Sequence, residues 1–228
     1  MLEQVLYRLG RGIVGAYARS MYDMDVVHHV SLLKGPKIIA VNHPSTSDPF
    51  VTTLLTPEQV SVIVDGALFE VPLFGHYLRG AGHVPALRGN GQVTLGAAQR
   101  LLEAGRSVVI FPEGHVSPLE GGFYPPCTGT ARLALRAGAP VIPVGIYIPR
   151  ARIRTLDLKF AHKSGVTKWY PRGPYAMTVG APMRLKGDIA DRPHVRALSE
   201  RIMQRIIALS YESARRVEAT PALATGSV

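Results

Sequence analysis

The sequence predicts one α/β domain: a mixed, mostly parallel sheet flanked by helices, with an amphipathic helical segment in front of it. Three observations lead there. The chain has 228 residues, enough for one domain with a sizeable core. It is 46% hydrophobic and 18% charged, which makes it globular rather than disordered. Short apolar runs alternate with segments of helical period, the pattern that puts helices on both faces of a parallel sheet.

The elements follow in order. Residues 1–24 carry Leu2, Val5, Leu6, Leu9, Ile13, Val14 and Tyr17 at helical spacing, with Arg8, Arg11 and Arg19 among them. This is a basic amphipathic segment, expected to break around Gly10 and Gly12 and to rest on either the core or a membrane surface. Glu3, Arg8 and Arg11 argue against a cleaved signal peptide. Residues 10–15 match a dinucleotide fingerprint formally, but no strand precedes them and no acid follows at the required distance.

Residues 25–216 form the domain proper. Strands are expected at 37–42, 61–64, 82–87, 107–111, 141–148 and 176–179, each short, apolar and bounded by Gly, Pro or polar residues. Helices are expected at 48–55, 93–103, 130–136 and 193–211, the last with Val195, Leu198, Ile202 and Ile206 on one face. Residues 217–228 are small and polar, a loose tail. No run reaches the roughly 18 apolar residues a spanning helix needs.

Charge narrows the partners. The chain has 26 Lys and Arg against 16 Asp and Glu, a net +10 that favours anionic ligands or surfaces. Nucleic acid is not among them, because no helix-turn-helix, zinc-knuckle or paired-aromatic signature accompanies the charge. Residues 150–172 hold seven of the basic residues and one acid, Asp157, with Trp169 and Tyr170 near the end. That stretch suits either a solvated loop or contact with anionic headgroups. The single cysteine, Cys127, cannot form an internal disulfide.

Two segments carry chemistry. In Asn42-His43-Pro44-Ser45-Thr46-Ser47-Asp48 an apolar strand runs into a histidine, and a carboxylate follows five positions later. Residues five apart share neither a helix face nor a strand face, so His43 and Asp48 meet only if the chain turns between them. Pro44 and three hydroxyl residues suit such a turn. A carboxylate on one imidazole nitrogen fixes the tautomer and leaves the other nitrogen as a base, although a surface histidine beside a helix cap is an equally good reading of this segment alone. The second segment, Phe111-Pro112-Glu113-Gly114-His115-Val116-Ser117, follows another strand. Both lie where open α/β sheets bind ligands, beyond the carboxyl ends of strands. Glu113 could accept a hydrogen bond from a hydroxyl and Gly114 could let backbone approach a substrate, or the pair could be a solvated turn.

Taken together, His43-x-x-x-x-Asp48 and the later Phe111-Pro112-Glu113-Gly114 resemble the glycerolipid and lysophospholipid acyltransferase family, of which 1-acylglycerol-3-phosphate acyltransferase is the best-known type. Gly82-His83-Val84-Pro85-Ala86-Leu87-Arg88 stands where that family has its second block, and Val141-Ile142-Pro143-Val144 matches its fourth. The resemblance implies that His43 is the general base, oriented by Asp48, and that it moves an acyl group from acyl-CoA or acyl-carrier protein to a lipid hydroxyl. It implies substrate contacts at Glu113, Gly114, Ser117 and Arg88, with Arg79 a weaker phosphate candidate, and no metal or redox cofactor. With no spanning run and no signal-peptide pattern, the chain is expected to be peripheral, at the cytoplasmic face of a membrane. A non-catalytic lipid-binding relative and an acyl esterase are the alternatives, although no Gly-x-Ser-x-Gly elbow is present.

Two departures matter, and one is that the family's usual basic residue shortly after the third block is missing, where Pro125, Pro126, Cys127 and Thr128 stand. The family's third block usually carries an arginine thought to hold the acceptor's phosphate, and here that position is Val116. Valine cannot make a charge-assisted phosphate contact. The expected acceptor is therefore a hydroxyl-bearing amphiphile other than ordinary lysophosphatidic acid.

Overall fold

A computed structural model describes residues 2–160 and 163–219. Among these, seven strands form one sheet in the order β1-β9-β6-β2-β5-β3-β4, and β7 and β8 pair as a separate hairpin. The elements are α1 (Leu2–Met21), β1 (Tyr22–His28), β2 (Ile38–Val41), α2 (Asp48–Val51), β3 (Val60–Asp65), α3 (Phe74–Gly80), β4 (Val84–Ala86) and α4 (Gly91–Glu103). There follow β5 (Ser107–Ile110), α5 (Gly129–Ala137), β6 (Val141–Tyr147), β7 (Arg154–Phe160), β8 (Lys163–Trp169), β9 (Gly173–Val179) and α6 (Arg192–Ala219).

Strands β2 to β6 run parallel, whereas β9 pairs antiparallel to β6 and β1 parallel to β9. The parallel strands are apolar on both faces because both faces are covered. Ile39, Val41, Val109 and Ile142 belong to one core cluster with Tyr7 and Leu78 from the α1 and α3 side. Ile38, Ala40, Val108 and Val141 belong to the other, with Leu95 and Ala98 of α4, Leu133 of α5 and Ile202 and Ile206 of α6. Alternate residues of a strand point to opposite faces, so four residues of β2 feed two cores.

Helix α6 lies very close to the sheet. A Cβ on Gly145 would collide with the backbone of Leu209 and Ser210, so β6 carries glycine where the helix crosses. The Ser210 and Ser213 hydroxyls donate to the carbonyls of Ile146 and Gly145 at the same crossing. This helix was expected to end at 211 and continues to Ala219. Residues 220–228 of the expected tail lie outside the described residues.

Two local expectations change and one holds. The N-terminal segment is one helix rather than two, because Gly10 admits the Tyr77 ring, whose hydroxyl a Cβ would strike, without interrupting the helix. The fingerprint-like residues 10–15 lie inside that helix, not in a strand-to-helix turn. Strand β1 was not anticipated: its residues carry two aspartates and a histidine and lie half out of the core at the sheet edge.

Candidate active site

Strand β2 ends at Val41, and the next residue extends its ladder with a side chain. The Asn42 amide donates to the Ile146 carbonyl at 2.9 Å and accepts from the Ile146 N–H at 2.7 Å. His43 then stands beyond the carboxyl end of the strand, and the chain turns so that Asp48 opens α2. The Asp48 carboxylate points into the protein and is fully buried. Its Oδ2 lies 3.0 Å from His43 Nδ1 and accepts from the Ser45 N–H at 2.7 Å. Its Oδ1 accepts from the Tyr175 hydroxyl at 2.6 Å. A carboxylate only accepts, so Nδ1 carries the imidazole proton and Nε2 presents its lone pair outward. The Phe111 ring stacks on the imidazole with centroids 4.2 Å apart.

Tyr175 was not among the expected site residues. It comes from β9, 127 positions beyond Asp48, and only the reversal of that strand brings its hydroxyl to the carboxylate. Burial, and then the neighbouring Asp48 charge, push its hydroxyl well above the ordinary tyrosine value, which keeps it a donor. Tyr22, stacked on it at 5.1 Å, is likewise pushed up to about 12, chiefly by burial.

The second segment leaves β5 and folds against the first. Glu113 is 1% exposed and all its hydrogen bonds go to the protein. Its Oε1 accepts from the His43 N–H at 3.0 Å and the Ser117 hydroxyl at 2.7 Å, and its Oε2 from the Tyr124 N–H at 2.9 Å. The Ser117 N–H donates to the His43 carbonyl at 2.7 Å. Glu113 and Ser117 therefore hold the two segments together from within. Gly114 sits exposed at the tip of the loop, its N–H bonded to the Phe111 carbonyl. The amides of His115 and Val116, next along the loop, have no protein acceptor among the described residues.

A third element joins them. The end of β8 lies along the His43–Asp48 turn, where the Lys168 carbonyl accepts from the Thr46 N–H and the Ser45 hydroxyl. The Lys168 ammonium donates to the Ser117 carbonyl at 2.7 Å. The sequence had pointed to Lys168 only as one of seven basic residues; pairing of β7 with β8 is what delivers it to the turn.

Arg88 and Arg79 lie elsewhere. Arg88 follows β4, three strand positions from β2, or about 14 Å at the usual spacing. Its side chain is 79% exposed and pairs with Asp65 at 3.2 Å. Arg79 donates to the Phe69 carbonyl and lies over the Phe69 ring.

Known proteins resemble this chain in sequence and in fold. The 1-acyl-sn-glycerol-3-phosphate acyltransferase of Saccharomyces cerevisiae is 30% identical over 127 residues, which are 54% of this chain and 42% of the yeast protein. The chain thus spans less than half the length of that relative. The crystal structure of the 1-acyl-sn-glycerophosphate acyltransferase PlsC from Thermotoga maritima superposes with a TM-score of 0.62 at 20% identity, covering 96% of this chain and 80% of that one. That likeness is one of fold, with the same single α/β domain and N-terminal helix. The Acyltransferase family model matches residues 20–147, more than half the sequence and both motif segments, so the chain belongs to the acyltransferase family.

Proposed function

We propose that the chain transfers a fatty acyl group from an acyl thioester, acyl-CoA or acyl-carrier protein, to the hydroxyl of a lysophospholipid or related glycerolipid. The observation that carries this reading is the His43–Asp48 pair, with Nδ1 bonded inward at 3.0 Å and Nε2 free at the ligand-binding edge of the sheet. Nε2 takes the hydroxyl proton as the oxygen attacks the thioester carbonyl. Asp48 stabilises the imidazolium that forms, and the collapsing intermediate expels a thiolate that takes the proton back from His43. Such general-base help contributes about 10²–10⁴ in rate. The amides of His115 and Val116, unpaired among the described residues in the loop that folds against the His43 segment, are the donors proposed for the tetrahedral oxyanion. The chemistry requires no metal or redox cofactor, since proton and charge are handled by the histidine and the backbone.

The acceptor is a hydroxyl-bearing amphiphile other than lysophosphatidic acid, because Val116 offers no guanidinium and Glu113 is committed inside the protein. Lys168, with one of its three donors on Ser117, is the cation closest in bonding to the catalytic turn.

The site works at a membrane surface, peripherally and on the cytoplasmic face. Support comes from α1, where Tyr7, Gly15 and Ala18 face the core while Leu2, Val5, Leu9 and Ile13 form a stripe on the solvent side, Leu2 being 72% exposed. No described helix is long and apolar enough to cross a membrane. A stripe of this kind suits a helix lying in the interface.

The test is an acyl-CoA assay across a panel of lysolipids, beside His43→Ala. Transfer to one class of acceptor that His43→Ala abolishes is the expected result. Full activity in that variant would remove the histidine from the mechanism, and lysophosphatidic acid as the fastest acceptor would refute the acceptor assignment.

A further inference from the structure

A cleft of about 420 Å³ opens at the start of β9, walled by Met21, Asp23, Arg152, Arg154, Pro171, Arg172 and Gly173. Three guanidiniums converge there against one carboxylate. Among the described residues none of the three side chains makes a hydrogen bond or ion pair. All three arginines are exposed. Arg152 lies against the floor of the cleft, since a Cβ on Gly173 would run into its guanidinium. Unpaired arginines brought together at a concave surface fit phosphate oxygens, which guanidinium binds in bidentate fashion.

The position of the cleft selects which phosphate. Strand β9 is antiparallel to β6, so its start lies on the same edge of the sheet as His43. Val41, Val144 and Val179 are level across β2, β6 and β9, which puts Gly173 about four residues farther out than His43 and two strands across. At about 3.3 Å per residue and 4.8 Å per strand, the separation is on the order of 15 Å. An acceptor's own phosphate lies only three or four bonds of about 1.5 Å from the attacking oxygen, too close to reach the cleft. A phosphopantetheine arm has about 13 bonds between the thioester sulfur and its phosphate. At about 1.2 Å of advance per bond when extended, it spans about 16 Å.

We infer that Arg152, Arg154 and Arg172 bind the phosphate end of the acyl donor's phosphopantetheine arm, which stretches along the catalytic edge from the cleft to His43. The donor assignment rests on the acyltransferase reading above; the phosphate site itself does not. The test compares acyl-CoA with the corresponding acyl-pantetheine, which lacks phosphate, in the wild type and in an Arg152→Gln/Arg154→Gln/Arg172→Gln variant. The variant should raise KM for acyl-CoA at least tenfold, to the acyl-pantetheine value, and change acyl-pantetheine kinetics less than twofold. Titration calorimetry with free CoA should show the same weakening, and it reads the cleft even if no acceptor is turned over. Equal changes for both thioesters, or unaltered CoA binding, would overturn the inference. So would lost binding to vesicles containing phosphatidylglycerol with CoA binding intact, since the arginines would then serve headgroups.

Discussion

Replacing Tyr175 by Phe removes one oxygen and tests whether the turn depends on a residue 132 positions from its histidine. The Asp48 carboxylate is fully buried, and its Oδ1 has the Tyr175 hydroxyl as its partner at 2.6 Å, while Oδ2 serves both His43 and Ser45. A hydrogen bond to a buried charge contributes about 1.5–3 kcal/mol. Without it the carboxylate is anchored through Oδ2 alone and can pivot about that atom. Stability should therefore fall by about 1.5–3 kcal/mol in urea unfolding. For the folded fraction, kcat should fall about tenfold with KM unchanged, because a pivoting carboxylate holds the imidazole less firmly in the transition state than in the ground state.

A double-mutant cycle separates orientation from mere packing. Asp48→Asn removes the carboxylate that fixes the tautomer, and in such catalytic pairs this costs about 10⁴ in kcat. If Tyr175 acts through Asp48, then Tyr175→Phe added to Asp48→Asn should lower kcat by less than a further twofold. A full additional tenfold loss in the double variant would refute the coupling. So would a Tyr175→Phe single variant that loses stability and keeps its kcat.

Three further outcomes follow from the same structure. Val116→Arg should raise kcat/KM for lysophosphatidic acid about tenfold relative to lysophosphatidylcholine, the discounted value of one partly exposed charge-assisted contact; an unchanged ratio would show that this position does not face the headgroup. Burial, then the charge of Arg106, lowers the His83 pKa from 6.5 to about 4, so between those values the unfolded chain binds more protons and stability falls as pH drops; urea unfolding should lose about 2 kcal/mol from this group between pH 7 and 5, and the loss should be absent in His83→Asn. Leu9→Glu/Ile13→Glu should lower vesicle binding at least tenfold without changing the thermal midpoint, since both side chains are exposed; unaltered flotation would refute the role of α1 at the membrane.

The parallel half of the fold was legible because each of its strands is buried on both faces and so reads as an uninterrupted apolar run. Val141 to Val144 and Val108 to Ile110 are of this kind. Edge position hid β1, whose two aspartates, Asp23 exposed and Asp25 paired with Arg216, break that run. The hairpin of β7 and β8 read as a charged stretch because it stands apart from the main sheet and its sequence intersperses Arg154, Asp157, Lys159, Lys163 and Lys168 among the apolar residues. The same distinction governs the site. His43 with Asp48, and Glu113 with Ser117, are local in sequence, and their spacing is visible. Tyr175 and Lys168 reach the turn through strand reversal and hairpin pairing, which no spacing records.

Those two distant residues bear on the readings that the His43–Asp48 segment left open, and they support the proposed one. In a histidine beside a helix cap, the aspartate would face outward and accept from the first amides of α2. Here Ser47 holds the N-cap position and makes no side-chain cap bond, while the Asp48 carboxylate turns inward to three donors. Such burial costs more than a cap would return unless every lone pair is met. The turn is also clamped by other parts of the chain, by Glu113 on the His43 N–H, Lys168 on Thr46 and Ser45, and Phe111 on the imidazole face. A surface histidine needs none of this. Four elements from separate parts of the chain converge to hold one imidazole, and such preorganisation is what the general-base role proposed for His43 requires.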